Sequence, residues 1–128
     1  MIVLDASAVI AILNQESNFE ALIRRLVTEP QRCISPVSAL EVTMVLSRRY
    51  VDPAQEADAY FRQENIAIDP IDGTRAEWAQ YAFQRFGRGR HPARLSLGDC
   101  FSYAAAKALD APLLYVGNNF AQTDLRAA

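Results

Sequence analysis

Three carboxylates stand where this chain should pass from strand or loop into helix. Asp5 ends the apolar run Met1-Ile2-Val3-Leu4, Glu41 lies one turn into a helix opened by Ser35-Pro36, and Asp99 heads the apolar stretch from Cys100 to Ala106. Taken singly, each reads as a helix cap. Carboxylates near a helix N-terminus are favoured by ~0.3–1 kcal/mol, and Ser38-x-x-Glu41 and Ser96-x-x-Asp99 both fit the capping-box pattern. Taken together, they point to different chemistry. All three are embedded in apolar sequence, where an unpaired ionised carboxylate is costly. No lysine or arginine follows at a spacing that would pair with them on their own helix face. Gathered carboxylates repel one another, and a divalent cation relieves that repulsion. Hard oxygen donors without cysteine or histidine suit Mg²⁺, with Mn²⁺ as its substitute, rather than Zn²⁺. Such a site can activate a water and stabilise the leaving oxygen of a phosphodiester.

These residues converge only if the elements carrying them are correctly arranged. Ile2-Val3-Leu4 reads as a buried strand, followed by a helix to about Leu13 that Asp5 or Ser7 caps. Phe19, Leu22, Ile23, Leu26 and Val27 recur at helical spacing until Pro30. Arg32-Cys33-Ile34 is a second strand. Ser35-Pro36 then starts a helix that Leu40, Val42, Val45 and Leu46 should bury. Asp52-Pro53 opens another helix to about Glu64, with Ala57, Tyr60 and Phe61 inward. Ile66 to Ile71 forms a third strand, and Thr74 caps a helix ending near Phe86, whose Trp78, Tyr81 and Phe86 face the core. Gly87 to Pro92 cannot continue that helix and reads as a mobile basic loop. A helix from Ser96 to about Leu109, a strand from Pro112 to Val116, a Gly117-Asn118-Asn119 turn and a frayed Ala127-Ala128 end complete the chain.

Strands alternating with helices of this length make an α/β domain with a central parallel sheet of four to five short strands. Ligands of such sheets bind beyond the carboxyl ends of the strands. That places Asp5, the start of the Glu41 helix, Asp99 and the Gly117-Asn118-Asn119 turn on one side. The 128 residues read as one domain, 1–128, and 51% apolar residues suffice for a continuous core. No apolar run approaches the ~20 residues of a membrane helix. With no basic n-region at the N-terminus, the expectation is a soluble cytoplasmic protein with no membrane partner. Cys33 and Cys100 match no metal or redox spacing and read as reduced core residues.

The segments Met1 to Ala8, Ser38 to Val42, Leu97 to Tyr103 and Leu113 to Phe120 stand in this order along the chain. Their sequences resemble those of the PIN-domain ribonucleases, and among them the VapC toxins of bacterial toxin–antitoxin pairs. The likeness covers essentially the whole chain. It implies a three-layer α/β/α PIN-like fold and a Mg²⁺-dependent endoribonuclease acting on structured RNA. It implies that Asp5 and Asp99 bind the metal and that Glu41 completes the catalytic trio. It further implies that Ser7 orients a ligand or water, that the protein is a homodimer, and that a VapB-type antitoxin neutralises it. The helices Pro53 to Glu64 and Phe19 to Val27 are then the faces for dimer and antitoxin. One feature departs from the family. Its members usually carry an acidic residue in the turn that here holds Asn118 and Asn119, so one Mg²⁺ is expected rather than two. Asp124, close behind, is the residue expected to substitute in part.

The net charge of −2 is not that of a protein held to nucleic acid by bulk charge. The basic residues are instead concentrated, with Arg85, Arg88, Arg90, His91 and Arg94 just before Asp99. Arg88 and Arg90 read either as solvated surface or as a phosphate clamp at the rim of the acidic pocket. His91 has no second histidine to share a metal with. The alternative function is a PIN-like domain that binds RNA or a partner without cutting it. A receiver-type domain is disfavoured because the only lysine, Lys107, lies within a helix, and a Rossmann site because no glycine-rich fingerprint follows the first strand.

Overall fold

The computed structural model describes residues 1–128. Strands β1 (Ile2–Leu4), β2 (Arg32–Ile34), β3 (Ile66–Ile68) and β4 (Leu113–Leu114) form one parallel sheet in the order β3-β2-β1-β4. Central β1 pairs Val3 with Cys33 on one side and with Leu113 on the other. Helices α1 (Ala6–Leu13), α2 (Phe19–Val27), α3 (Pro36–Leu46), α4 (Pro53–Gln63), α5 (Gly73–Phe86) and α6 (Leu97–Leu109) cover both faces. Because strand side chains alternate between faces, the sheet separates two cores. Val3, Cys33 and Leu113 pack against Ala79, Ala82 and Phe86 of α5 and Tyr103 to Ala106 of α6. Ile2, Leu4, Ile34 and Leu114 pack against Val9 of α1, Leu26 of α2, Val42 and Leu46 of α3, and Phe61 of α4. This is the α/β/α architecture expected from the alternating pattern, with four strands. No helix is long and apolar enough to cross a membrane.

Several local expectations are corrected. Leu40 is 58% exposed, so the buried stripe of α3 is Ser38, Val42 and Leu46, residues four apart on one face. Asp72, not Thr74, caps α5 by accepting from the Arg75 N–H at 2.9 Å. Tyr81 lies on the exposed side of α5, with its ring against Trp78 and Tyr103. The basic loop is a pinned turn rather than a mobile one. The Leu95 N–H bonds Phe86 O at 3.0 Å, the Arg88 N–H bonds Leu95 O at 3.1 Å, and His91 Nδ1 accepts from the Ala93 N–H at 3.0 Å. The chain end is not frayed. The Leu113 N–H bonds Arg126 O at 3.0 Å and the Ala128 N–H bonds Leu113 O at 2.9 Å. Edge strand β4 would otherwise present unpaired backbone groups, and these last residues cover it.

Candidate active site

Each acidic residue is placed by the device that starts its helix. Asp5 continues β1 by one residue, its N–H bonding Leu114 O at 2.9 Å. It then turns the chain into α1, where Oδ2 accepts from the Ser7 N–H at 3.0 Å. The Ser7 hydroxyl accepts from the Val116 N–H at 3.0 Å and so fastens the segment following β4 to the head of α1. Ser96 and Asp99 form the reciprocal box expected of them. Asp99 N–H donates to Ser96 Oγ at 3.2 Å, and Ser96 N–H donates to Asp99 Oδ2 at 3.0 Å. Ser38 and Glu41 do not. Ser35 caps α3 by accepting from the Val37 N–H at 3.1 Å, and Pro36 already occupies the first turn. Ser38 is therefore interior to the helix, and its hydroxyl lies 2.9 Å from that of Ser102.

The three carboxylates lie within electrostatic reach of one another at the carboxyl edge of the sheet. Glu41 rests over Gly98 at the start of α6, where any side chain at Gly98 would collide with its carboxylate. Burial, followed by the charges of Asp5 and Asp99, pushes the Glu41 carboxyl from its ordinary 4.5 up to about 7. Asp99 is also raised, chiefly by burial, against the opposing hydrogen bonds of Ser96. Asp5 is 4% exposed and accepts a second bond from the Ser102 hydroxyl, Oγ to Oδ1 at 2.6 Å. None of the chain's ion pairs reaches these residues. Three acidic groups thus oppose one another's charge with no ion pair to any of them.

The remaining expected residues divide. The Asn119 amide lies close enough to Asp99 to favour its charged form. Asn118 is exposed, and its backbone carbonyl accepts from Gln122 Nε2 at 3.3 Å. Asp124 is tied elsewhere. Its Oδ1 accepts from the Tyr103 hydroxyl at 2.7 Å and its Oδ2 from Lys107 Nζ at 3.1 Å, so it is not a spare carboxylate for the pocket. Arg88 and Arg90 line a groove of about 710 Å³ between α5 and α6, whose wall includes Ser96 and Leu97 at the Asp99 end. Arg90 Nε donates to Gln84 O at 3.0 Å, and its guanidinium lies 5.5 Å from the centre of the Phe83 ring. Cys33 and Cys100 are buried free thiols, each pushed up to about 11 chiefly by burial.

Two features of the site escape a reading of the residues as caps. Gly98 matters through its lack of a side chain, and Ser38 through a partner on another helix. The signal for Ser38 was its position four residues before Val42 and eight before Leu46, on the stripe that faces inward.

The donor set fits a hard divalent cation. It consists of carboxylate oxygens from separate elements, uncompensated by any basic side chain and braced by neutral hydrogen-bond donors. No group of three His, Cys, Asp or Glu side chains closes into a ready ligand cluster. Mg²⁺, which keeps several of its waters, needs only one or two protein carboxylates.

Comparison with known proteins agrees with this fold. The family model described as "PIN domain" matches residues 2–125. A ribonuclease VapC of Mycolicibacterium smegmatis is 40% identical over 126 residues, covering 98% of each chain. Ribonuclease VapC30 of Mycobacterium tuberculosis is 34% identical over 124 residues, covering 96% of this chain and 95% of that one. Among solved structures, Mycobacterium tuberculosis VapC20, described as a Sarcin-Ricin loop cleaving toxin, superposes with a TM-score of 0.76 at 18% identity, covering 100% of this chain and 98% of that one. A toxin–antitoxin complex from Klebsiella pneumoniae gives a TM-score of 0.75, also at 18% identity, with 97% and 93% coverage. With the family model and these full-length relatives in agreement, the chain belongs to the PIN-domain family and, within it, to the VapC proteins.

Proposed function

We propose that this protein is a Mg²⁺-dependent endoribonuclease, the toxin of a type II toxin–antitoxin pair, that cuts structured RNA and is neutralised by a VapB-type antitoxin. The observation that carries the proposal is the mutual influence of Asp5, Glu41 and Asp99 at one sheet edge without an ion-paired partner, in a chain whose relatives are named ribonucleases.

Asp5 and Asp99 are the residues that would hold the cation. Both are anchored by neutral donors, from Ser7 and Ser102 to Asp5 and from Ser96 to Asp99, which fix the carboxylates without neutralising them. Bound there, Mg²⁺, or Mn²⁺ in its place, would supply a Lewis acid toward the scissile phosphate. Glu41, over Gly98 and free of such anchoring bonds, takes the proton of the attacking water. Ser7 orients the ligand from the first turn of α1. Asn118 and Asn119 bring no negative charge to the turn after β4, which supports one Mg²⁺ rather than two. Arg88 and Arg90, on the groove that leads to Ser96, bind the phosphates of the RNA. Exposed apolar side chains such as Ile23 and Val27 on α2, and Leu40 and Met44 on α3, support surfaces covered by a second copy and by the antitoxin.

The test is incubation of the purified protein with transfer and ribosomal RNA fragments in Mg²⁺ and in EDTA. The expected result is cleavage at discrete positions in Mg²⁺ only. Retention of RNA without Mg²⁺-dependent cleavage across several structured RNAs would support instead a PIN-like domain that binds RNA or a partner, the reading favoured by the uncharged Asn118-Asn119 turn.

A further inference from the structure

Beneath the acidic pocket lies a pair of hydroxyls that neither helix needs for itself. Ser38 of α3 and Ser102 of α6 are both fully buried, and their Oγ atoms are 2.9 Å apart. Ser102 Oγ is also 2.6 Å from Asp5 Oδ1. A serine inside a helix ordinarily returns its hydroxyl to the carbonyl one turn back. Here both bond across elements instead. The direction of the pair follows from chemistry. A carboxylate only accepts, so the single Ser102 proton goes to Asp5. Ser102 can then only accept from Ser38, whose proton must point toward it. The result is a directed relay, Ser38 to Ser102 to Asp5, linking the helix of Glu41, the helix of Asp99 and the strand end of Asp5.

The geometry points to Ser38 and Ser102 as positioning residues for the divalent cation, a buried hydroxyl relay that holds the Asp5 carboxylate in one orientation and locks the three acidic elements to one another. This rests on the reading of Asp5 as a metal ligand. Ser102 acts on Asp5 directly. Ser38 acts only through Ser102, by fixing the rotation of its hydroxyl. The two contributions are therefore ordered and non-additive, which two independent packing contacts would not be.

The experiment is Mn²⁺ binding to the full-length protein, read by electron paramagnetic resonance and calorimetry, with thermal unfolding in EDTA as the fold control. The variants are Ser102→Ala, Ser38→Ala, the double variant, Ser102→Cys and Asp5→Asn. Loss of a hydrogen bond to a charged group predicts about a tenfold weaker Kd for Ser102→Ala. Ser38→Ala should weaken binding by about threefold, and the double variant should be no weaker than Ser102→Ala alone. Ser102→Cys, which fills at least the same space but is a poor donor, should resemble Ser102→Ala and so separate the hydroxyl from mere filling of space. An unchanged Mn²⁺ Kd in folded Ser102→Ala, with Asp5→Asn binding poorly, would overturn the relay alone. So would Ser38→Ala weakening binding by the same factor in both backgrounds. No Mn²⁺ binding by the unaltered protein, or equal binding by Asp5→Asn, would overturn both the relay and the metal reading beneath it.

Discussion

Glu41→Gln should stabilise the metal-free protein, and the gain should depend on pH in a defined direction. In the folded chain the Glu41 carboxyl is raised from 4.5 to about 7, first by burial and then by the charges of Asp5 and Asp99. Below about pH 4.5 it is protonated in both folded and unfolded chains and contributes nothing to the pH dependence. Between about 4.5 and 7 the unfolded chain releases the proton while the folded chain keeps it, so stability falls as pH rises. Above about 7 the penalty is complete. The difference between 4.5 and about 7 corresponds to about 3 kcal/mol. Glu41 is partly open to solvent, and screening reduces this to ~1.5 kcal/mol. For a chain of this length that is about 5 °C in Tm. Glutamine keeps the shape and removes the charge. In EDTA, Glu41→Gln should therefore melt about 5 °C higher than the unaltered protein at pH 8 and at nearly the same temperature at pH 4.5, as followed by circular dichroism. Saturating Mg²⁺ should shrink the advantage at pH 8, because a cation relieves the same repulsion. An equal gain at both pH values would trace it to packing, and a loss at pH 8 would mean that Glu41 is not held against its charge; either result refutes the reasoning.

Two further perturbations follow from the same geometry. In Gly98→Ala the new methyl group meets the far end of the flexible Glu41 side chain, so the carboxylate swings away while the helix stays. Tm should hold or rise, since Ala is the better helix former by up to ~1 kcal/mol, and RNA cleavage should fall by at least about tenfold. Replacing Arg88 and Arg90 together by Ala should weaken RNA binding and lower its dependence on log salt by about two, one for each phosphate left without its arginine, with Tm unchanged. Filter binding at several salt concentrations measures both, and an unaltered affinity and slope would remove the phosphate clamp.

Much of the framework was legible in the residues because it is local. Ser35-Pro36 and Ser96 start their helices as their types dictate, and the triplets Ile2-Val3-Leu4 and Arg32-Cys33-Ile34 sit in the sheet as read. The parallel arrangement then brings strand ends and helix starts to one edge, which is why Asp5, Glu41 and Asp99 could be read as neighbours. What was not legible depends on partners distant in sequence. Ser38-x-x-Glu41 matches a capping box, but Ser35 had already capped that helix, and the real partner of Ser38 is Ser102 on α6. Gly98 looks like an ordinary first-turn residue until Glu41 is seen against it. Asp124 follows the turn closely in sequence, yet Tyr103 and Lys107 claim both its oxygens. The glycines around Arg88 suggested mobility, whereas the bonds to Phe86 and Leu95 that pin the turn come from residues flanking it.

The most direct test of the metal-nuclease reading is the initial rate of RNA cleavage as a function of Mg²⁺ for the unaltered protein, Asp5→Asn and Asp99→Asn. The prediction is a saturable Mg²⁺ dependence in the first and a loss of at least about 100-fold in each variant, with both variants folded. Cleavage by folded Asp99→Asn at the unaltered rate and the same Mg²⁺ requirement would contradict the assignment of these carboxylates.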